Sequence, residues 1–522
     1  MLFNSLALLA LFAVVRAVYQ LGRLPTPQRW RSSGILAVAL VAYGAGWRAV
    51  SQEVPSTDPW AYSRNAFHAL QLLTSHPVNH PFTERIGVYL PVSVAYALFG
   101  VGPYATHLWP LLSAMIVVAT VWFALPRRER MLGLVLSATS VPLLASSMAL
   151  YPDGIAAALM GWSALLVGRR LESRRTKELA LATALLAFGA FLAKETAIWW
   201  LPCWAWTFLR DLVGRRWRLV RSFHVPVLVA GLLLATAYGY FCWRVWGSPW
   251  ARFQSVQDVS SQHLWSLGGK SRDALVRRLT SGPVGLFESQ YGNLIPLAAM
   301  GLLLRSRRAG VWPAYVAATV LGFWLGPTSL RSFSPLPLEP RMTLPCLPGL
   351  LVMASLGVGT LLRADLPRFA TLVGRLTALG VLVAAGLLPM WRYARTLPRS
   401  ETPERRAMAV VRDDVAAAPE RRFALVCAET RSRDYLSWFW GYKYPPNLAV
   451  LMPDELSGSH LSDDTRVYLY VNEGRARFLH QAYGEREYGR AFASRGYPLA
   501  FHVADALLYS TTAGALARGG PF

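Results

Sequence analysis

Apolar stretches follow one another along most of the chain, and their length is the first signal. They run Leu2 to Val18, Ser33 to Val50, Pro103 to Leu125, Met131 to Leu150, Ile155 to Val167 and Leu179 to Leu192. Further on come Thr196 to Leu209, Phe223 to Trp243, Val284 to Leu304, Trp312 to Gly326, Leu344 to Leu362 and Leu376 to Met390. A helix needs about 20 apolar residues to cross a hydrocarbon core, so Ile155 to Val167 and Thr196 to Leu209 are marginal by length. The pattern predicts a polytopic α-helical membrane protein with about 11–12 transmembrane helices.

The polar connections between these stretches alternate in character. Arg23, Arg29 and Arg31 share one turn, then Arg127, Arg128 and Arg130, then Arg169, Arg170, Arg174, Arg175 and Lys177. Arg215, Arg216, Arg218 and Arg221 follow, then Arg305, Arg307 and Arg308, and finally Arg363, Arg368 and Arg375. Every second connection is basic. Short cytoplasmic loops collect Lys and Arg, which places the loops holding Asp58, Tyr151-Pro152-Asp153, Lys194-Glu195 and Arg341 outside the cytoplasm. Leu2 to Val18 has neither a basic segment before it nor a small-residue cleavage site after it, so it reads as a retained helix, and twelve spans put both termini outside.

After Met390 charged residues become frequent. Short apolar runs at Phe423 to Cys427, Leu448 to Met452 and Val467 to Val471 alternate with helical patterns at Glu404 to Val415 and Gly474 to Tyr483. This predicts a small α/β domain over 392–522, extracytoplasmic by the same topology, behind a transmembrane domain over 1–391 with a large exterior loop at 51–102. The start of that loop has helical spacing. Tyr62, Ala66, Leu70 and Leu73 fall on one side and Arg64, Asn65, His68 and Gln71 on the other, which predicts an amphipathic helix along the membrane surface. Asp58 before Pro59 suits a helix start as well as any chemical role. The loop Arg244 to Pro283, with Trp246, Trp250 and Trp265, reads as a cover over an exterior site.

Composition agrees with the bilayer reading: 54% of the 522 residues are hydrophobic and 16% charged. The net charge of +24 does not indicate nucleic acid, because the arginines lie beside apolar spans, where they set topology and attract anionic lipid. Cys203, Cys242 and Cys346 fall in or beside spans and Cys427 stands alone, so neither a disulfide framework nor a zinc spacing is present. His76 and His80 have i, i+4 spacing, but Pro77 argues against a helix and no carboxylate pair completes a metal set. No cofactor is expected, and a divalent metal is left open.

Four exterior features carry the candidate chemistry: Asp58, Arg85 within HPFTERIGVYLP, Lys194-Glu195 within FLAKETAIWWLP, and Arg341 within PLEPRMTLPCLPG. Three of these and Asp153 have an ordinary alternative: a helix cap for Asp58, a turn for Asp153, an interfacial ion pair for Lys194 and Glu195, and a loop charge for Arg341. Their order resembles the GT-C class of polytopic glycosyltransferases, in particular the dolichyl-phosphate-mannose-protein mannosyltransferase and lipid A aminoarabinose transferase group. The similarity rests on Asp58 followed by Tyr62, the run from Arg85 to Gly100, Tyr151-Pro152-Asp153, Lys194-Glu195-Thr196, and Pro340 to Pro348. Asp58-Pro59 and Arg341-Met342 depart from the family's paired acids and its Arg-Tyr.

The resemblance implies transfer of a sugar from a polyprenyl-phosphate donor to an acceptor hydroxyl of a protein, lipid or glycan, with inversion. Asp58 would be the general base, Arg341, Lys194 and Arg85 would hold the donor phosphate, and Glu53, Tyr62, Asp153 and Glu195 would support them. A site in a cell membrane of bacterial inner-membrane type is expected. Oligosaccharide transfer to asparagine ranks lower, since Trp438-Phe439-Trp440-Gly441 lacks that family's Trp-Trp-Asp. The competing non-enzyme reading is a lipid-linked glycan flippase or transporter, although such proteins place charges nearer the midplane. The topology predicts that cysteines introduced at Arg128 or Arg307 resist an impermeant thiol reagent in intact cells while one beside Asp58 reacts; the opposite labelling overturns it.

Overall fold

The computed structural model describes residues 28–50, 57–74, 80–261, 271–326, 335–361, 402–456, 459–483, 497–503 and 506–518. The stretches Leu2 to Val18 and Leu376 to Met390, and residues Glu53 and His76, lie outside the described residues. The chain divides into two compact units: residues 1–51, 70–91 and 107–397 form one, and residues 52–69, 92–106 and 398–522 the other.

The first unit is helical. Among the described residues Pro103–Ala124, Thr176–Ala193, Trp217–Trp246 and Pro340–Thr360 are long and apolar enough to cross a membrane, and Arg130–Ala138 with Val141–Ser147 adds a fifth if the bent pair counts as one span. Trp217–Trp246 has only 17% of its apolar window buried, and it shows Leu228, Val229, Leu232 and Leu233 on its outer side. A surface of that kind belongs against lipid, and helices satisfy their own backbone there. The protein is a multi-pass membrane protein. The window of Pro340–Thr360 is 94% buried, so this helix is the axis around which its neighbours pack.

Two expected spans are broken. Met131 to Leu150 becomes Arg130–Ala138 and Val141–Ser147, bent by 59°, where Thr139 Oγ1 turns back to Val135 O and Pro142 brings no N–H to continue the ladder. Val284 to Leu304 becomes Ser281–Tyr291 and Ile295–Ala309, the second restarting with Pro296 in its first turn. The marginal stretch Thr196 to Leu209 also divides, into a 3₁₀ turn Glu195–Trp199 and a helix Trp200–Val213.

Pro152–Arg169 and Thr176–Ala193 form an antiparallel hairpin of two 18-residue helices, with small side chains such as Ala156, Ala164, Ala180 and Ala190 buried. At the end where the first of them finishes, Arg170 Nε donates to Asp211 Oδ2 at 2.7 Å. Asp211 also accepts from His224 Nε2 at 3.0 Å and from Arg216 Nη1 at 3.2 Å.

The second unit contains a five-stranded sheet in the order β2-β1-β3-β5-β4. Its strands are β1 (Phe423–Cys427), β2 (Leu448–Leu451), β3 (Arg466–Asn472), β4 (Leu499–Val503) and β5 (Ala506–Thr512). β1 is parallel to β2 and β3, whereas β5 runs antiparallel to β3 and β4. Alternation decides the faces: Phe423, Leu425, Cys427, Tyr468 and Tyr470 enter one core, and Ala424, Val426, Val467, Leu469 and Val471 the other. Pro403–Ala417 lays Ala407, Met408, Val411 and Val415 on the first face; its N-cap Thr402 accepts from Arg405 N at 3.2 Å. Burial pushes the Glu429 carboxyl, just past β1, up to about 7 despite Arg475, Ser432 and the Asn472 backbone N–H.

The helix at the start of the large loop departs from the amphipathic expectation. It spans Thr57–Phe67, with Asp58 in its first turn, and a second helix Ala69–Thr74 follows a break at His68. Trp60, Ala61, Tyr62, Ser63, Asn65 and Ala66 are all buried while Leu70 is exposed. The buried side meets protein, not lipid: Trp60 packs on Tyr435 with ring centroids 5.0 Å apart, and Arg64 pairs with Asp434 at 2.7 Å.

Ile295–Ala309 and Leu347–Leu361 approach so closely that a Cβ on Gly301 would stand 2.0 Å from Met353 O and one on Gly357 2.1 Å from Leu297 O. Backbone cannot yield as a side chain can. Gly357→Ala is therefore expected to lower the thermal stability of the detergent-purified protein by at least the ~1–3 kcal/mol typical of overpacking. Gly231→Ala, with nothing within 4 Å, serves as the neutral control.

Candidate active site

Within the first unit the site begins at the end of the helix hairpin opposite Arg170. Asp153 opens Pro152–Arg169, where the helix dipole favours an anion, and Lys194 closes Thr176–Ala193, where it favours a cation. The hairpin thus sets the two 41 positions apart in sequence side by side. Lys194 Nζ donates to Asp153 Oδ1, with both side chains almost fully buried, and touches Met342 Sδ at 2.8 Å.

Lys194 and Glu195 do not pair with each other. The backbone is extended at Lys194 and enters a 3₁₀ turn at Glu195, so the two side chains diverge. Glu195 receives Arg85 in a two-point fork, Nη2 to Oε1 at 2.8 Å and Nε to Oε2 at 3.3 Å. What brings Arg85 there is local. His80 Nδ1 accepts from Phe82 N at 3.2 Å, Pro81 starts the short turn Pro81–Glu84, and the chain leaves it through Arg85. Gly87 then lies against the end of Thr176–Ala193, where a Cβ would stand 2.6 Å from Ala193 N. Only glycine allows this approach.

Arg252, from Ala251–Ser261, completes the cluster, with Nη2 lying 3.6 Å from Glu195 Oε2. Its Nη1 donates to Glu84 O at 3.2 Å, Leu192 O at 3.4 Å and the Tyr238 hydroxyl at 3.3 Å, and its guanidinium covers the Phe191 ring at 4.6 Å. The Nε and Nη2 donors of Arg252 have no hydrogen-bond partner among the described residues. Glu84 accepts from Ser255 Oγ through one oxygen, while its other oxygen has no such partner.

Electrostatics separates the two carboxyls. Burial raises Glu84 above the usual carboxylate range, more than Ser255 and Arg252 lower it. For Glu195 burial also pulls upward, but Arg85, Arg252 and Lys194 together outweigh it and hold the carboxyl at about 2. Arg341 stands on the 3₁₀ turn Pro340–Cys346, next to Met342, with Nε on Glu339 Oε2 at 2.6 Å and its guanidinium 4.4 Å from the centre of the Tyr151 ring.

The structure therefore gathers Asp153, Lys194, Glu195, Arg85 and Arg341 in the first unit, and it carries Asp58 and Tyr62 on Thr57–Phe67 in the second. His80 serves as the cap of a turn. Sequence reasoning missed Glu84 and Arg252. Arg252 had a signal, since it is a basic residue in a loop assigned outside, the same violation of the positive-inside trend that marked Arg341. Such a cluster holds cations in place with fixed carboxylates, and Arg252 keeps two buried donors without a hydrogen-bond partner among the described residues.

The fold is similar to that of ArnT from Cupriavidus metallidurans in the apo state, with TM-score 0.56 and 15% identity over 94% of this chain and 100% of that one. It is similar to ArnT from the same organism bound to undecaprenyl phosphate, with TM-score 0.51 and 16% identity over 91% and 96% of the two chains. The Archaeoglobus fulgidus oligosaccharyltransferase, in complex with Zn and sulfate, matches with TM-score 0.53 and 12% identity over 89% of this chain and 71% of that one. No family model matches the sequence, and no curated protein matches it either. The likeness to these structures establishes a GT-C-like fold.

Removing one member of the buried pair leaves the other charged and unsolvated. Lys194→Met is expected to cost about 3–5 kcal/mol of stability, and Lys194→Met with Asp153→Leu to recover most of it. Thermal unfolding of the single and double variants checks this; additive losses would show that the two groups are not coupled.

Proposed function

We propose that this chain is a polyprenyl-phosphate-sugar-dependent glycosyltransferase of the outer face of a cell membrane. The observation that carries the reading is the part-buried Arg85–Glu195–Arg252 cluster beside Lys194 and Arg341, in a fold shared with a protein whose solved structure holds undecaprenyl phosphate. Cations held in place by carboxylates before the substrate arrives need little reorganisation when charge develops. A phosphate leaving from an anomeric carbon develops that charge.

In this reading the acceptor oxygen attacks the anomeric carbon, its proton passes to Asp58, and the bond from that carbon to the phosphate oxygen breaks with inversion. The electron pair of the broken bond stays on the lipid phosphate. Arg341, Lys194 and Arg85 bind that phosphate, with Arg252 as a fourth cation. Asp153 holds Lys194 and Glu195 orients Arg85, while Tyr62 and Glu53 support the base. The domain that follows the membrane helices faces the exterior, and the acceptor is the hydroxyl of a protein, lipid or glycan.

The test is incubation of the purified protein with a panel of polyprenyl-phosphate sugars and acceptor fractions, reading release of the lipid phosphate. If no donor is consumed and a lipid-linked glycan instead crosses a vesicle membrane, the protein is a flippase. Asp58→Asn is expected to abolish transfer with folding intact, because the amide cannot take a proton at neutral pH. Arg341→Ala is expected to raise the barrier by about 2–4 kcal/mol and Arg341→Lys to recover part of it. Retained turnover in Asp58→Asn removes that residue from catalysis.

A further inference from the structure

The sheet of the second unit has a topological switch point. From β1 the chain passes through the helix Thr430–Phe439 to β2 on one side, and β3 then lies on the other side of β1. Open α/β sheets bind ligands at the carboxyl ends of the two strands flanking such a point. Here those ends carry Glu429 after β1 and Asn472 closing β3, with Ser432, Arg475 and Glu404 around them. Arg475 Nη1 donates to Ser432 Oγ and Nη2 to Glu404 Oε1, both at 3.0 Å, while Asn472 Nδ2 reaches Glu404 Oε1 at 2.8 Å.

The chain itself covers this position. The Arg475 guanidinium lies 4.6 Å from the ring centre of Trp60, which is 2% exposed and shares the apolar core with Met408, Leu425, Tyr435 and Tyr470. Trp60 stands two residues after Asp58 in the same helix. The next turns of that helix are held too: Ser63 Oγ bonds the Tyr96 hydroxyl at 2.5 Å and accepts from the Tyr442 hydroxyl at 2.9 Å, and Phe67 stacks on Tyr442 at 4.6 Å. Tyr442 makes these contacts from a left-handed backbone, φ +62°, directly after Gly441 at φ +61°. A non-glycine residue is kept there only where its surroundings hold it.

We infer that the α/β domain is a positioning clamp for the Asp58 helix, its ligand mouth filled by the protein's own Trp60 under Arg475. Trp60 and Arg475 are positioning residues that act through Asp58, an assignment that rests on the proposed role of that carboxylate. The Arg64–Asp434 pair, half-exposed at Arg64 and buried at Asp434, adds to the hold on the same helix. The rest of the hold lies in the buried ring and the cation above it.

The experiment uses the full chain in detergent and two readouts. The first is hydrogen exchange. Trp60→Ala and Arg475→Ala are expected to speed exchange of amides in 57–67 at least tenfold while those of β1 and β3 keep their protection, and Trp60→Phe is expected to restore most of the protection. Unchanged exchange in 57–67, or equal loss in the strands, overturns the clamp whatever the enzyme does. The second is the kinetics of lipid phosphate release: Trp60→Ala is expected to lower kcat about 10–100-fold with the donor KM within about twofold, the signature of a misplaced base. Arg433→Ala, on the domain helix Thr430–Phe439 in a surface pair with Glu455 at 2.8 Å, is the control for both. A rise in KM at unchanged kcat overturns positioning. Wild-type protein that releases no lipid phosphate from any donor refutes the transferase reading, and with it the assignment to Asp58; the exchange readout still decides the clamp.

Discussion

A charge removed from water must find a counter-charge at hand, and the first unit is built around that constraint. Four cations and three carboxylates meet near one end of the helix hairpin: Arg85, Lys194, Arg252 and Arg341 with Asp153, Glu195 and Glu339. Each pairing needs a helix terminus, a tight turn or a bare glycine to bring it into reach. Had Gly87 carried a side chain, Arg85 could not lie against the end of Thr176–Ala193, and Glu195 would lose its bidentate partner. Packing, turns and electrostatics therefore depend on one another here.

Much of this was legible in the sequence because the charges stand out against an apolar background. Lys194, Glu195, Asp153 and Arg341 interrupt or border apolar stretches, and β1, β2 and β3 of the second unit announce themselves as short apolar runs between helical patterns. Partner choice was not legible. Lys194 and Glu195 are adjacent and opposite in sign, yet the turn between them sends each elsewhere. Glu84 sits in a polar loop, where a charge draws no notice, and Arg252 broke the positive-inside trend without any sign of its partners. The broken spans were hidden for a similar reason: Pro142 and Pro296 leave an apolar window apolar while removing the backbone N–H on which the helix depends.

The Thr57–Phe67 helix failed as an amphipathic membrane helix because its faces were judged by residue polarity alone. Asn65 is buried and Leu70 exposed, since the helix packs on the side chains of a domain 370 residues further along the chain. β4 and β5 escaped notice as well. They complete the sheet as an antiparallel edge, and their short mixed runs lack the continuous apolar character that β1 owes to being covered on both faces.

The helix Pro152–Arg169 is tied by buried charge at both ends, to Lys194 through Asp153 and to Asp211 through the following Arg170. Its 18 residues span about 27 Å, close to the thickness of a hydrocarbon core. Sliding Pro152–Arg169 by one helical turn past its neighbours would break both ties at once. The spacing between the two charged ends of this helix is thus set by ion pairs inside the protein, and a change in bilayer thickness is met by the lipid or by tilt of the packed helices together, not by slippage of this one.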